Sequence, residues 1–175
     1  MDKKFKKIAI FDFDQTLVNT ATPEHGKSHY EKKTGKKWPY EGWWGRKESL
    51  DLDVFDMPVI DLVISDYHLE KVQEDTLVVM LTGRLVKLSN EVRKILDAKG
   101  LEFDEYHYNR GGSTDVAKIK TMEHLLEKYP TVDEIKMWDD RILHIPIFEK
   151  WGKEKCLSGE LKDFSITVVP GGHVE

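Results

Sequence analysis

Two carboxylates stand at alternate positions where an apolar run ends, in Lys7-Ile-Ala-Ile-Phe-Asp12-Phe-Asp14-Gln-Thr16-Leu17. Side chains along a strand alternate faces, so Asp12 and Asp14 emerge on one side if the strand runs on through them. Such a pair can bind a hard cation such as Mg²⁺ through oxygen ligands, or divide the work of a nucleophile and an acid/base. A lone Asp-x-Asp is more often a solvated acidic turn. The chemical reading therefore needs matching groups elsewhere in the chain.

Matching groups occur at two further strand ends. Leu77-Val-Val-Met-Leu81 is a continuous apolar run suited to a strand buried on both faces, and Thr82-Gly83-Arg84 follows it. This spacing predicts a hydroxyl and a flexible turn just ahead of a helix, whose exposed N–H groups favour phosphate. Glu134-Ile-Lys-Met-Trp138 leads into a second acidic pair, Asp139-Asp140, and then Arg141. Acids at two strand ends, facing a hydroxyl at a third, repel one another unless a cation sits among them. A phosphate held there also wants a fixed positive charge. On a helix from about residue 114 to 129, Lys118 shares a face with Met122 and Leu125, whereas Lys120 points with His124 and Glu127 toward solvent. Lys118 is the better candidate.

The elements that must position these groups alternate between strand and helix. After the first strand, residues 20–57 lose periodicity, with a short helix around 26–34 and four aromatics in Trp38-Pro-Tyr40-Glu-Gly-Trp43-Trp44, too many for a chain that fails to pack. Pro58 suits the first position of a helix reaching about residue 73. A helix from Leu85 ends at Gly100, and Phe103 to Tyr108 forms a short strand. The helix containing Lys118, the strand ending at Trp138, a helix over about 143–153 and a strand Ser165 to Val169 complete the series. Such alternation calls for a three-layer, Rossmann-like α/β sandwich around a mainly parallel sheet, with a small insertion after the first strand. The carboxyl ends of the strands, where ligands gather in such sheets, carry all the groups above.

At 175 residues the chain is expected to form one domain with a cap-like insertion at about 20–74. There is no apolar run long enough to span a membrane and no signal-peptide pattern, and Cys156 is the only cysteine, so a cytoplasmic setting without disulfides is expected. Nothing calls for an obligate protein partner. The net charge of −5 disfavours indiscriminate duplex binding, yet residues 1–47 carry eleven Lys/Arg against six Asp/Glu. That local field can attract a polyanion, or can be no more than a solvated lysine-rich face.

Taken together, Asp12-Phe-Asp14-Gln-Thr16-Leu17, Leu81-Thr82-Gly83-Arg84, Lys118 and Asp139-Asp140 resemble the four signatures of the haloacid dehalogenase-like (HAD) phosphohydrolases. A closer likeness is carried by Gly42-Trp43-Trp44-Gly45-Arg46-Lys47-Glu48-Ser49-Leu50, Gly100-Leu101-Glu102-Phe103-Asp104 and Trp138-Asp139-Asp140-Arg141 with His144 and Phe148. It is to the phosphatase-like domain of Swiss Army Knife RNA repair proteins. The resemblance implies a Mg²⁺-dependent phosphomonoester hydrolase in which Asp12 becomes an aspartyl-phosphate and Asp14 is the acid/base. It implies Mg²⁺ held by Asp12, the Asp14 backbone carbonyl and one of Asp139 and Asp140, the choice between these neighbours staying open. Thr82, Gly83 and Lys118 would hold the phosphate, and nucleic-acid phosphate ends, RNA in particular, are the implied substrate.

Thr16 is a candidate substrate contact, and Arg84, Arg141 and His144 could each touch substrate or orient an acid, although Arg84 can equally be a helix-start charge and His144 a satisfied core histidine. Trp43, Trp44, Arg46, Lys47 and Ser49 fall in the insertion, where relatives carry a cap. Aromatics beside basic residues suit base stacking and backbone tracking. Tryptophans filling a small cap core suit the pattern as well, and one of the two is expected to be exposed. Two other functions fit the sequence: a phosphatase of small phosphorylated metabolites or nucleotides, and a non-catalytic nucleic-acid-binding module. A pure binder has no need for Asp12, Asp14, Thr82, a lysine and the acidic pair together.

Overall fold

In β1 (Lys7–Phe11), Ile8 and Ile10 face one way, Ala9 and Phe11 the other, and all four are buried. A strand buried on both faces belongs inside a sheet. The computed structural model describes residues 4–170, and in it β1 is the middle strand of five. Its neighbours are β2 (Thr76–Leu85) and β4 (Glu134–Asp139), with β3 (Glu105–Asn109) and β5 (Asp163–Val168) at the edges, in the order β3-β2-β1-β4-β5. All four pairings are parallel. Parallel neighbours need crossovers, and helices supply them on both faces.

Strand periodicity decides which helix each face meets. Ala9, Phe11, Val78, Met80 and Trp138 pack with Val63 and Tyr67 of α2 (Asp61–Lys71) and with Val92, Ile95 and Leu96 of α3 (Ser89–Ala98). Ile8, Ile10, Val79, Leu81, Ile135 and Met137 pack with Met122 and Leu125 of α4 (Thr114–Lys128) and with Phe148 and Trp151 of α5 (Ile145–Leu157). This is the three-layer α/β Rossmann-like sandwich. Phe11 and Trp138, partners in the β1–β4 register, stack at 4.2 Å, and the Trp138 indole N–H donates to Asp66 of α2 at 2.9 Å. The last residues of the two central strands are thereby fixed from one side.

The segment between β1 and α2 contains α1 (Pro23–Thr34), which starts three residues earlier than expected because Pro23 opens its first turn; it ends on Gly35 in the left-handed conformation. The only buried residue of α1 is Gly26, packed so tightly that a Cβ there would lie 2.1 Å from the Trp43 ring. Trp43 is 3% exposed and in the core, whereas Trp44 is 43% exposed, so one tryptophan of the pair is indeed open to solvent.

Three local expectations are corrected. Pro58 does not start a helix: the chain stays extended through Val59, which bridges Val18, while Ile60 N–H donates to the Leu17 carbonyl, and α2 begins at Asp61. Thr82-Gly83-Arg84 is not a turn before a helix. Leu85 pairs with Asn109 of β3 across a bulge and keeps β2 extended, so α3 starts only at Ser89, after a short 3₁₀ turn. Nor does β1 run on through Asp14. The Phe13 carbonyl accepts N–H groups from Thr16, Leu17 and Val18, and Gln15 takes a left-handed conformation (φ 59) in the turn so formed. Among the described residues no helix is long and apolar enough to cross a membrane.

A non-glycine residue at positive φ is strained, and a β-branched one much more so. Gln15→Val is therefore expected to destabilise the protein by about 1–3 kcal/mol in chemical denaturation, and Gln15→Gly by less than about 1 kcal/mol.

Candidate active site

Alternation carries two acids and a lysine to one point. Asp12 continues the face of Ile8 and Ile10, and Asp139 the face of Ile135 and Met137, so both turn toward α4. Lys118 lies one turn before Met122 on the buried stripe of that helix and is 1% exposed. Its ammonium donates to Asp139 Oδ2 at 2.7 Å and to Asp12 Oδ1 at 3.0 Å. Lys120 is exposed, as its place on the opposite face requires. The Arg141 backbone N–H donates to Asp139 Oδ1 at 3.0 Å, so each oxygen of this fully buried carboxylate already accepts one hydrogen bond. Asp140 instead lines the open cavity. The Thr16 hydroxyl lies 3.2 Å from Asp12 Oδ2 and 3.3 Å from Asp140 Oδ1 and can donate to either.

One carboxylate oxygen from each of Asp12, Asp139 and Asp140 lies within 4.8 Å of the others. Three hard oxygen donors this close suit Mg²⁺. The Asp12 and Asp140 carboxyls lie close to each other, an arrangement that a shared proton or a cation relieves. Burial pushes the Asp12 carboxyl well above its ordinary value; Lys118 pulls it back, and Asp139 and Asp140 add to the rise. Burial also raises Asp140. For Lys118, burial works against the charge, but Asp12 and Asp139 outweigh it and hold the ammonium protonated.

Asp14 lines the same cavity but looks to different partners. Its Oδ1 accepts from the Thr20 hydroxyl at 2.7 Å and from Arg84 Nη2 at 2.7 Å, and its Oδ2 from Arg84 Nε at 3.0 Å. The reason is the turn at Gln15, which takes Asp14 off the face that Asp12 shares with α4.

The cavity has a volume of about 400 Å³ and its lining includes Gln15, Trp44, Gly83, Arg84, Asn109, Thr114, Lys118 and Arg141. Gly83 permits a close crossing: a Cβ there would lie 2.5 Å from Thr114 Cγ2 at the start of α4. Thr82 is buried outside this lining, and its hydroxyl oxygen accepts the Arg84 backbone N–H at 3.0 Å. Arg84 is buried, which excludes a helix-start charge in solvent. Arg46 pairs with Glu48 and lies over the Tyr40 ring, outside the cavity lining. His144 is not a satisfied core histidine, since its buried Nδ1 has no hydrogen-bond partner among the described residues; burial and then the Arg141 charge lower its pKa. Sequence reasoning missed Thr20, Asn109 and Thr114. Only Asn109 had a signal, the glycine pair that follows it.

The fold and the clustered acids define a HAD-type domain. Residues 25–173 match HAD domain family 1 of the Swiss Army Knife RNA repair proteins, and the chain belongs to that family. The match begins beyond Asp12 and Asp14, so that pair rests on the geometry above. An uncharacterized protein of Saccharomyces cerevisiae is 26% identical over 174 residues, which cover 83% of this chain and 36% of the yeast protein. The chain thus spans about a third of that relative's length. Among solved structures, the Pnkp1/Rnl/Hen1 complex is similar with a TM-score of 0.59 at 17% identity, over 99% of this chain and 49% of the other. The HAD domain of the effector protein Lem4 from Legionella pneumophila is similar with a TM-score of 0.55 at 12% identity, over 98% of this chain and 90% of the other.

Acids with raised folded values keep protons that the unfolded chain has released. Their contribution to stability is complete below the unfolded value near 3.8 and is lost as pH rises through the folded value. In metal-free protein, the contribution of Asp12 and Asp140 is thus expected to fall above that pH, and added Mg²⁺ to raise Tm more at neutral than at acid pH; calorimetry across pH with and without Mg²⁺ checks both. Gly83→Ala is expected to cost about 1–3 kcal/mol by overpacking against Thr114. Adding Thr114→Ala should recover most of that loss in thermal melts.

Proposed function

We propose that this domain is a Mg²⁺-dependent phosphomonoesterase acting through an aspartyl-phosphate on Asp12, with nucleic-acid phosphate ends as substrate. The observation that carries the reading is the buried Lys118 bridging Asp12 and Asp139 beside Asp140. A binding module has no use for a charge cluster so unfavourable to bury. Asp12 attacks phosphorus with an oxygen, and Lys118 offsets charge on the nucleophile and the transferring group. Asp14 protonates the leaving oxygen and then takes a proton from the hydrolytic water. Bound Mg²⁺ would supply positive charge to the phosphoryl oxygens. Asp12 and Asp140, with the Asp14 carbonyl, would hold it, and Asp139, both of whose oxygens are engaged, would orient Lys118.

Residues 20–74 act in this reading as a cap that brings Trp44 to the cavity. An indole 43% exposed at a phosphate site suits stacking on a base, and the lysines of α1 suit a backbone. The family to which the chain belongs is named for its occurrence in RNA repair proteins, which favours nucleic-acid ends over small metabolites. Purified protein should hydrolyse para-nitrophenyl phosphate only with Mg²⁺, and Asp12→Asn should lose at least about 10³-fold in turnover while still unfolding in one cooperative thermal transition. A phosphate-release panel of 3′- and 5′-phosphorylated oligonucleotides against nucleotides and sugar phosphates tests the substrate; preference for sugar phosphates would overturn that part alone.

A further inference from the structure

Arg84 is 3% exposed, yet its guanidinium reaches two separate parts of the chain. Nε and Nη2 donate to the Asp14 carboxylate at 3.0 and 2.7 Å. Nη1 donates to the Trp44 carbonyl at 2.8 Å and to Ser49 Oγ at 2.9 Å, and the guanidinium carbon lies 4.9 Å from the centre of a Trp44 ring. The Ser49 hydroxyl is itself aimed, donating to the Arg46 carbonyl at 2.6 Å. A buried guanidinium is tolerated where its rigid fork of N–H groups finds acceptors, and here one side of the fork holds an acid while the other holds residues 44–49.

We propose that Arg84 is the positioning residue for Asp14, and that through it the placement of the acid depends on the placement of residues 44–49. The inference rests on the reading of Asp14 as the acid/base. Oδ1 of Asp14 accepts two bonds of 2.7 Å, from Thr20 and Arg84 Nη2, whereas Oδ2 accepts the longer bond from Arg84 Nε at 3.0 Å and keeps a lone pair free, which makes Oδ2 the oxygen that carries the proton. As the Asp12–phosphorus bond forms and the bond to the leaving oxygen breaks, that proton passes from Oδ2 to the leaving oxygen. In the second step Oδ2 receives a proton from water as the water oxygen bonds to phosphorus and the Asp12–phosphorus bond breaks. A substrate resting on Trp44 therefore presses on the segment that anchors the acid's own support, so recognition and proton delivery are coupled. Lysine keeps the charge but lacks the rigid planar fork that holds Asp14 by two bonds on one side and the two acceptors on the other.

The test is the leaving group. With Mg²⁺ present, kcat/KM is measured for para-nitrophenyl phosphate, whose leaving oxygen needs little protonation, and for ethyl phosphate, whose leaving oxygen needs a proton. Arg84→Lys is expected to lose about 10²-fold on ethyl phosphate and less than about 5-fold on the aryl ester. Ser49→Ala keeps every bond to Asp14 and removes one anchor, and is expected to lose a few-fold on ethyl phosphate alone; it decides the question if Arg84→Lys does not fold. Equal losses on both esters, or none on either, overturn the inference while leaving the Asp12 mechanism standing. Absence of turnover by the unmodified protein overturns both.

Discussion

The ammonium of Lys118, shut between Asp12 and Asp139, is the interaction on which the rest of the site depends. A pair of carboxylates at the ends of adjacent central strands would drive those strand ends apart or draw in protons. One buried cation, delivered from α4, lets them stand together. Breaking such a buried set by removing one member typically costs about 3–5 kcal/mol, because the remaining charges are stranded. The sheet register, the stripe of α4 and the stacking of Phe11 on Trp138 all act to keep these three groups in line.

Around this fixed point the chain separates two kinds of acid. Asp12 and Asp139 sit on the sheet face toward α4, in a dry environment that raises Asp12. Asp14 sits within the turn that runs on through left-handed Gln15, and answers to Arg84 and Thr20. One strand end thus presents two carboxylates in different surroundings, which is what distinct roles in one reaction require. The turn at Gln15 stores the strain of that separation where it is used.

The parts of this arrangement that follow from period were legible in the sequence. Lys118 could be chosen over Lys120 because Met122 and Leu125 mark the buried stripe, and the three central strands were readable from the apolar runs that end at Phe11, Leu81 and Trp138. The partners of Arg84 were not legible. Apart from Asp14 they come from residues 44–49, a stretch without periodicity, and the Thr20 hydroxyl that donates to Asp14 was no more legible, since its neighbours in sequence say nothing of that acid. Position 83 reads as a turn because glycine usually marks one, but here it is needed for a close crossing between β2 and Thr114. Pro58 misled in the same way: its fixed φ suits an extended segment as well as a helix start.

The contact of Gly26 with Trp43 has a wider consequence. Apart from that glycine, α1 buries none of its residues, so its lysines and acids answer to solvent rather than to the core. Changes in surface charge along this helix can accumulate at little cost to folding, while the charge cluster at the sheet stays fixed. The surface charge of the domain can in this way be retuned by drift on one helix, with the buried charge cluster untouched.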